Sequence, residues 1–140
     1  MSSISQQEDT HSHCVACGPV HLIPSLGLRF EWLDQNTIHS RFFVDKRYQG
    51  YDTILHGGVS STLLDAAMTH HLIDRQIEAM TADLQVRFMI PVKVGLTVSI
   101  YAMQQRQKHG VYWMSSLLYS EEHGVHARAK ARFMLAHVAS

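Results

Sequence analysis

The chain carries no excess of charge, with 12 lysines and arginines balancing 12 aspartates and glutamates, and only 17% of its residues are charged. Such a balance leaves no electrostatic footprint for nucleic acid or for an anionic membrane as the main partner. No apolar run approaches the ~18 residues that a membrane span requires. There is no Gly-rich phosphate loop and no GxGxxG, so the common nucleotide-cradling motifs are excluded. His70-His71 stand side by side and form no HExxH metal site. Cysteine is scarce: Cys14 and Cys17 make one CxxC, with His11, His13 and His21 close by. A structural zinc site takes four ligands, and a second CxxC or an HxxxH partner is missing. Gly18-Pro19 argues against the helix start that a redox CxxC needs. We therefore expect no metal and no cofactor, with thiols packed in a turn and most of the 11 histidines at the surface or in packing roles.

What is present is an ordinary globular composition, 46% hydrophobic over 140 residues, enough for one domain with a core. The opening MSSISQQEDTHSH is polar and contains acids, unlike a signal or transit peptide. Residues 1–12 are expected to be a disordered arm, residues 13–140 a single domain, and the location cytoplasmic. Leu28, Phe30 and Trp32 alternate with Arg29 and Glu31 as in a half-buried strand over 27–32. A turn at Asp34-Gln35-Asn36 leads to a second strand over 38–44. Residues 45–55 read as a loop and 59–72 as a helix. Four further strands follow: Leu84 to Ile90, Leu96 to Ala102, Val111 to Tyr119 and Val125 to Leu135. In the last, Val125, Ala127, Ala129, Ala131 and Phe133 alternate with His126, Arg128, Lys130 and Arg132. Strand, strand, helix and four strands make an α+β architecture, one helix against a mainly antiparallel sheet.

The segment His56-Gly57-Gly58-Val59-Ser60-Ser61-Thr62-Leu63-Leu64-Asp65 concentrates the chemistry. A glycine pair lets backbone N–H groups approach a ligand, and a helix N-terminus carries partial positive charge. Together they suit an oxygen that gains negative charge during a reaction. On a helical projection Ser61, Thr62, Asp65 and Thr69 form one narrow polar stripe, and apolar residues cover most of the remainder. A helix so apolar is buried in the core or at a subunit interface, which turns the stripe toward a cavity or another chain. Asp65 then reads either as a carboxylate held by Ser61 and Thr69 or as a base or nucleophile. GVSST departs from GxSxG at its final position, which excludes a serine-hydrolase elbow.

Three blocks resemble a hotdog-fold acyl-CoA thioesterase of the phenylacetate-pathway type: CVACGPVHLIPSLGLRF, LHGGVSSTLLDAAM and TADLQVRFMIPVKVG. Together they span about residues 14 to 137, and the middle block is the specific one, with HGG and the aspartate nine residues after the histidine in register. The resemblance implies a long central helix wrapped by an antiparallel sheet, homodimers or dimers of dimers, and active sites between subunits. By position it implies that Gly57 donates its N–H to the thioester carbonyl and that Asp65 is the catalytic base or nucleophile. His56 would shape the turn or touch substrate, and Thr69 would assist. Gly58, Ser61, Gln49 and Arg87 are the candidate substrate contacts. Relatives often carry an asparagine or glutamine where this chain has Gly50, and the adjacent Gln49 is the available substitute. Arg87, Lys93, Arg128, Lys130 and Arg132 are candidates for coenzyme A phosphates, against the plainer reading as solubilising surface charge. The expected activity is hydrolysis of an acyl-CoA. The alternatives are a non-catalytic acyl-CoA-binding hotdog module and, further off, a hotdog dehydratase.

Overall fold

The computed structural model describes residues 15–16 and 26–136. The expected arm over 1–12, Cys14, Cys17 and the histidines beside them lie outside the described residues. Six strands form one antiparallel sheet: β1 (Glu31–Trp32), β2 (Thr37–Phe43), β3 (Ala79–Phe88), β4 (Thr97–Lys108), β5 (Val111–Ser120) and β6 (Gly124–Leu135). Their spatial order is β1-β2-β4-β5-β6-β3, so among the described residues β3 is an edge strand paired only with β6. The one α-helix among the described residues, α1 (Gly57–Ile73), lies across one face of this sheet. The expected α+β arrangement is therefore the observed one.

Leu63, Leu64, Met68 and Leu72 are fully buried against Ile38, Ile100, Met114, Leu118 and Phe133. Each such side chain contributes about 1.5–3 kcal/mol relative to exposure. Ser116 ties helix to sheet, its hydroxyl donating to the Leu64 carbonyl at 3.1 Å. At the C-terminal end Trp32 Nε1 donates to the Asp74 carboxylate. His71 Nε2 meets the Asn36 carbonyl at 2.7 Å and Nδ1 meets Arg75 at 2.9 Å. Burial pushes His71 down to about 4, so it is neutral at physiological pH and the Nε2 proton goes to Asn36. These contacts fix the helix axis over the strands.

Three details differ from the sequence reading. Only Glu31–Trp32 pairs as a strand, because the Leu26 and Leu28 N–H groups donate instead to Val15 and Ala16. His126 is buried rather than aligned with the exposed Arg128 and Lys130. The β5–β6 register shifts beside it, and its ring meets Ser120 Oγ at 2.7 Å and the Ile90 carbonyl at 3.0 Å. Third, the inner face of β3 is open: Leu84 is 37% and Phe88 57% exposed. An edge strand with apolar side chains in water is an unsatisfied pairing surface. No helix among the described residues is long and apolar enough to cross a membrane.

Candidate active site

The helix begins at a glycine pair because its cap is a side chain that needs the space. His56 is the N-cap at φ −60° and ψ 133°, and its Nδ1 accepts from the Gly58 N–H at 2.8 Å. A Cβ at Gly58 would lie 3.0 Å from that same ring. A Cβ at Gly50 would lie 3.2 Å from His56 Cα and Cδ2. The imidazole thus sits between two residues without side chains. A residue larger than glycine at Gly50 would push His56 off its cap.

The capping leaves one donor over. A helix start has four N–H groups without intrahelical partners. Here Gly58 donates to the His56 ring, and Val59 and Ser60 donate to the His56 carbonyl. The Gly57 N–H has no partner among the described residues. It opens on a groove of about 350 Å³ lined by Gly50, Tyr51, Ile54, Leu55, His56 and Gly57. The Phe88 ring stands on the other side, 3.7 Å from where a Gly57 Cβ would be. Gln49 faces its own loop, accepting at 3.2 Å from Thr53, which sits in the left-handed region at φ 66°.

Asp65 lies half-buried on the polar stripe with Ser61, Thr62 and Thr69. The Thr69 hydroxyl donates to the Asp65 backbone carbonyl at 2.9 Å, as Thr62 does to Gly58. The hydroxyl that reaches the carboxylate is that of Thr81, at 2.7 Å from Oδ1. Sequence reasoning passed over Thr81. A bulge at Ala82 brings it into line, since Thr81 pairs with Phe133 while Asp83 already pairs with Arg132. Such bulges re-aim side chains beside functional sites. The signal in the sequence is the broken alternation, Thr81 and Leu84 sharing a face at a spacing of three.

Where α1 meets β3, Thr81 bonds Asp65 at one place and the Phe88 ring stands against Gly57 at another. Eight residues separate Gly57 from Asp65, about 12 Å along a helix rising 1.5 Å per residue. One chain therefore does not bring the two groups to a single carbonyl. Among the described residues no three histidine, cysteine, aspartate or glutamate side chains gather as a metal site.

The sequence pattern of the thioesterase superfamily matches residues 53–114, from the loop before α1 into β5. The whole architecture superposes on a solved thioesterase superfamily protein with a TM-score of 0.80, at 20% identity, over 87% of this chain. This is a hotdog fold carrying the thioesterase-superfamily sequence pattern. The chain spans 63% of that protein's length. The PaaI protein of the E. coli phenylacetic acid degradation operon matches at a TM-score of 0.72 and 16% identity, over 78% of this chain and 83% of its own. The resemblance to hotdog thioesterases therefore stands at the level of the fold, with the PaaI protein among the structures matched. A hypothetical thioesterase from Streptococcus pneumoniae, solved with coenzyme A, matches at 0.73 and 16% identity, over 78% of this chain and 88% of its own. That protein has also been solved as an Asp→Ala and as a Thr→Ala variant, the two positions sixteen residues apart. Asp65 and Thr81 have the same separation. No curated protein matches the sequence.

Proposed function

We propose that this chain hydrolyses an acyl-coenzyme A to a free acid and coenzyme A, in a site shared by two copies. The observation that carries the reading is a pair of complementary half-sites on α1, each facing β3. One half is the Gly57 N–H, without a partner among the described residues, at a helix N-terminus; the other is the Asp65 carboxylate held by Thr81. The thioester carbonyl oxygen accepts from Gly57, where the backbone donor and the helix dipole stabilise the charge of the tetrahedral intermediate. Asp65 takes the proton of the attacking water and the intermediate expels the thiolate of coenzyme A, or Asp65 attacks the carbon itself, the thiolate leaves, and water hydrolyses the resulting anhydride to the acid and the free carboxylate. His56 holds the Gly57 turn, while Tyr51, Ile54 and Phe88 offer the acyl group apolar walls. Gln49 serves its loop, and Gly58, Ser61 and Thr69 shape the stripe.

The free edge of β3 supplies the assembly. Two β3 strands paired antiparallel about a twofold axis near Leu84 set Thr81 of each chain opposite Phe88 of the other. Phe88 abuts Gly57 and Thr81 bonds Asp65, so this pairing carries Gly57 of the partner subunit toward Asp65. The exposed Leu84 and Phe88 are covered in the same step.

Thiol release from acyl-CoAs of varied length and aromaticity tests the activity. Tight binding without hydrolysis across such a panel would favour a non-catalytic acyl-CoA-binding module instead. Thr81→Val, which keeps the shape and β preference, is expected to lower kcat about tenfold, the usual value of one hydrogen bond to a charged group. Thr81→Ser should restore most of that loss. Equal rates for Thr81→Val and wild type would remove Thr81 from the site.

A further inference from the structure

Ser120 of β5 and His126 of β6 are each 1% exposed and stand like a nucleophile beside a base, Oγ at 2.7 Å from Nε2. No substrate reaches a serine so buried, so the pair does no covalent chemistry. The other contacts of the ring show what it holds. In the neutral ring Nδ1 carries the proton, because its partner at 3.0 Å is the Ile90 carbonyl and a carbonyl only accepts. Nε2 then accepts from the Ser120 hydroxyl, whose oxygen accepts in turn from the His123 N–H at 3.1 Å. The backbone of His126 grips the same place. Its carbonyl accepts from the Met89 N–H at 2.8 Å and from the Ile90 N–H at 3.1 Å. Met89 is 42% and Ile90 39% exposed, so burial does not hold them and these bonds do.

That place is the end of β3 beside the candidate site. Phe88 is the last residue of β3, and its ring stands against Gly57. Its cross-strand partner, Ala127, offers nothing beyond a Cβ to steer the ring, so the ring's aim depends on the backbone of the strand end. Beyond Ile90 the chain runs to the loop before α1. There the Val92 carbonyl accepts from the Leu55 N–H at 2.8 Å, and the Val94 N–H donates to the Thr53 carbonyl at 2.9 Å. Residues 89–94 thus strap β6 to the loop that ends at His56 and Gly57. We infer that His126 is a positioning residue for the acyl mouth: by holding Ile90 it fixes the Phe88 ring relative to the Gly57 turn, and so the width of acyl group admitted. That the mouth takes an acyl group rests on the thioesterase reading; the hold on β3 does not.

Two measurements separate those claims. Asparagine sets its amide near the position of Nδ1, and glutamine near that of Nε2. His126→Asn therefore keeps a donor for Ile90, whereas His126→Gln keeps only the Ser120 contact. In calorimetric titration, non-hydrolysable coenzyme A thioethers bearing an S-methyl or an S-benzyl group stand in for substrate. His126→Gln is expected to weaken the benzyl thioether about fivefold or more relative to the methyl one, within the range of coupled neighbours, while His126→Asn keeps the wild-type ratio. In a Phe88→Ala background His126→Gln should shift the ratio no further, which a general loosening of the fold would not produce. A wild-type ratio in His126→Gln, equal shifts in both variants, or an undiminished shift without Phe88 overturns the assignment. Amide hydrogen exchange reads the strap with no ligand: Met89 and Ile90 lose protection in His126→Gln and keep it in His126→Asn. That pattern in a protein that binds neither thioether keeps the hold on β3 and rejects the acyl-CoA reading. Unchanged exchange in His126→Gln overturns the hold, whatever the protein binds.

Discussion

Asp65→Asn is expected to lower kcat for a good acyl-CoA by about 10²-fold or more, the usual cost of losing a general base. The substitution is close to isosteric, and the Thr81 hydroxyl can still donate to the amide oxygen that replaces Oδ1. Asp65 is only half-buried on the helical stripe, so the variant should keep the wild-type unfolding midpoint. A large loss of rate with little loss of stability separates a reacting carboxylate from one that merely fills its site. Wild-type turnover by folded Asp65→Asn would remove the residue from the chemistry. Asparagine serves neither as base nor as nucleophile, so isotope transfer from labelled water into the Asp65 carboxylate during a single turnover distinguishes those roles.

The second large effect is expected from Gly57→Pro, which deletes one N–H and little else. Proline is favoured at the first position of a helix, where its missing donor has no intrahelical acceptor to lose. The residue before it must be extended, and His56 already is, at φ −60° and ψ 133°. Removing one oxyanion donor typically costs about 10²–10³-fold in kcat. Gly57→Ala is the control: its N–H remains, and its Cβ would meet the Phe88 ring at 3.7–3.8 Å, an ordinary contact. Alanine should therefore stay near wild-type rates while proline falls. Equal losses in both would point to crowding against Phe88 rather than to the donor.

Much of this was legible in the sequence, because the deciding patterns are local. The HGG turn, the apolar helix with one polar stripe and the period-two strands all follow from side chains within a few positions of each other. The His56–Gly58 cap and the spacing from Gly57 to Asp65 are of that kind as well. What escaped depends on register between distant segments. Thr81 reaches Asp65 only through the bulge at Ala82, and an extra residue in one strand is defined by its partner strand. His126 turns inward where the β5–β6 pairing shifts. The open inner face of β3 follows from strand order, which alternation along a single strand does not carry. The separation of the half-sites needed no structure, since helical rise alone sets Gly57 and Asp65 about 12 Å apart.

That separation makes the shared site directly measurable. Asp65→Asn and Gly57→Pro chains, each inactive alone, are co-expressed under two different tags and the mixed dimer is isolated. In that dimer one site keeps Asp65 from one chain and Gly57 from the other, while the second site has lost both. The account predicts restored thiol release, about half the wild-type rate per mixed dimer because one site of two is intact. Mixed dimers as inactive as either parent would contradict a site built from Gly57 of one chain and Asp65 of the other.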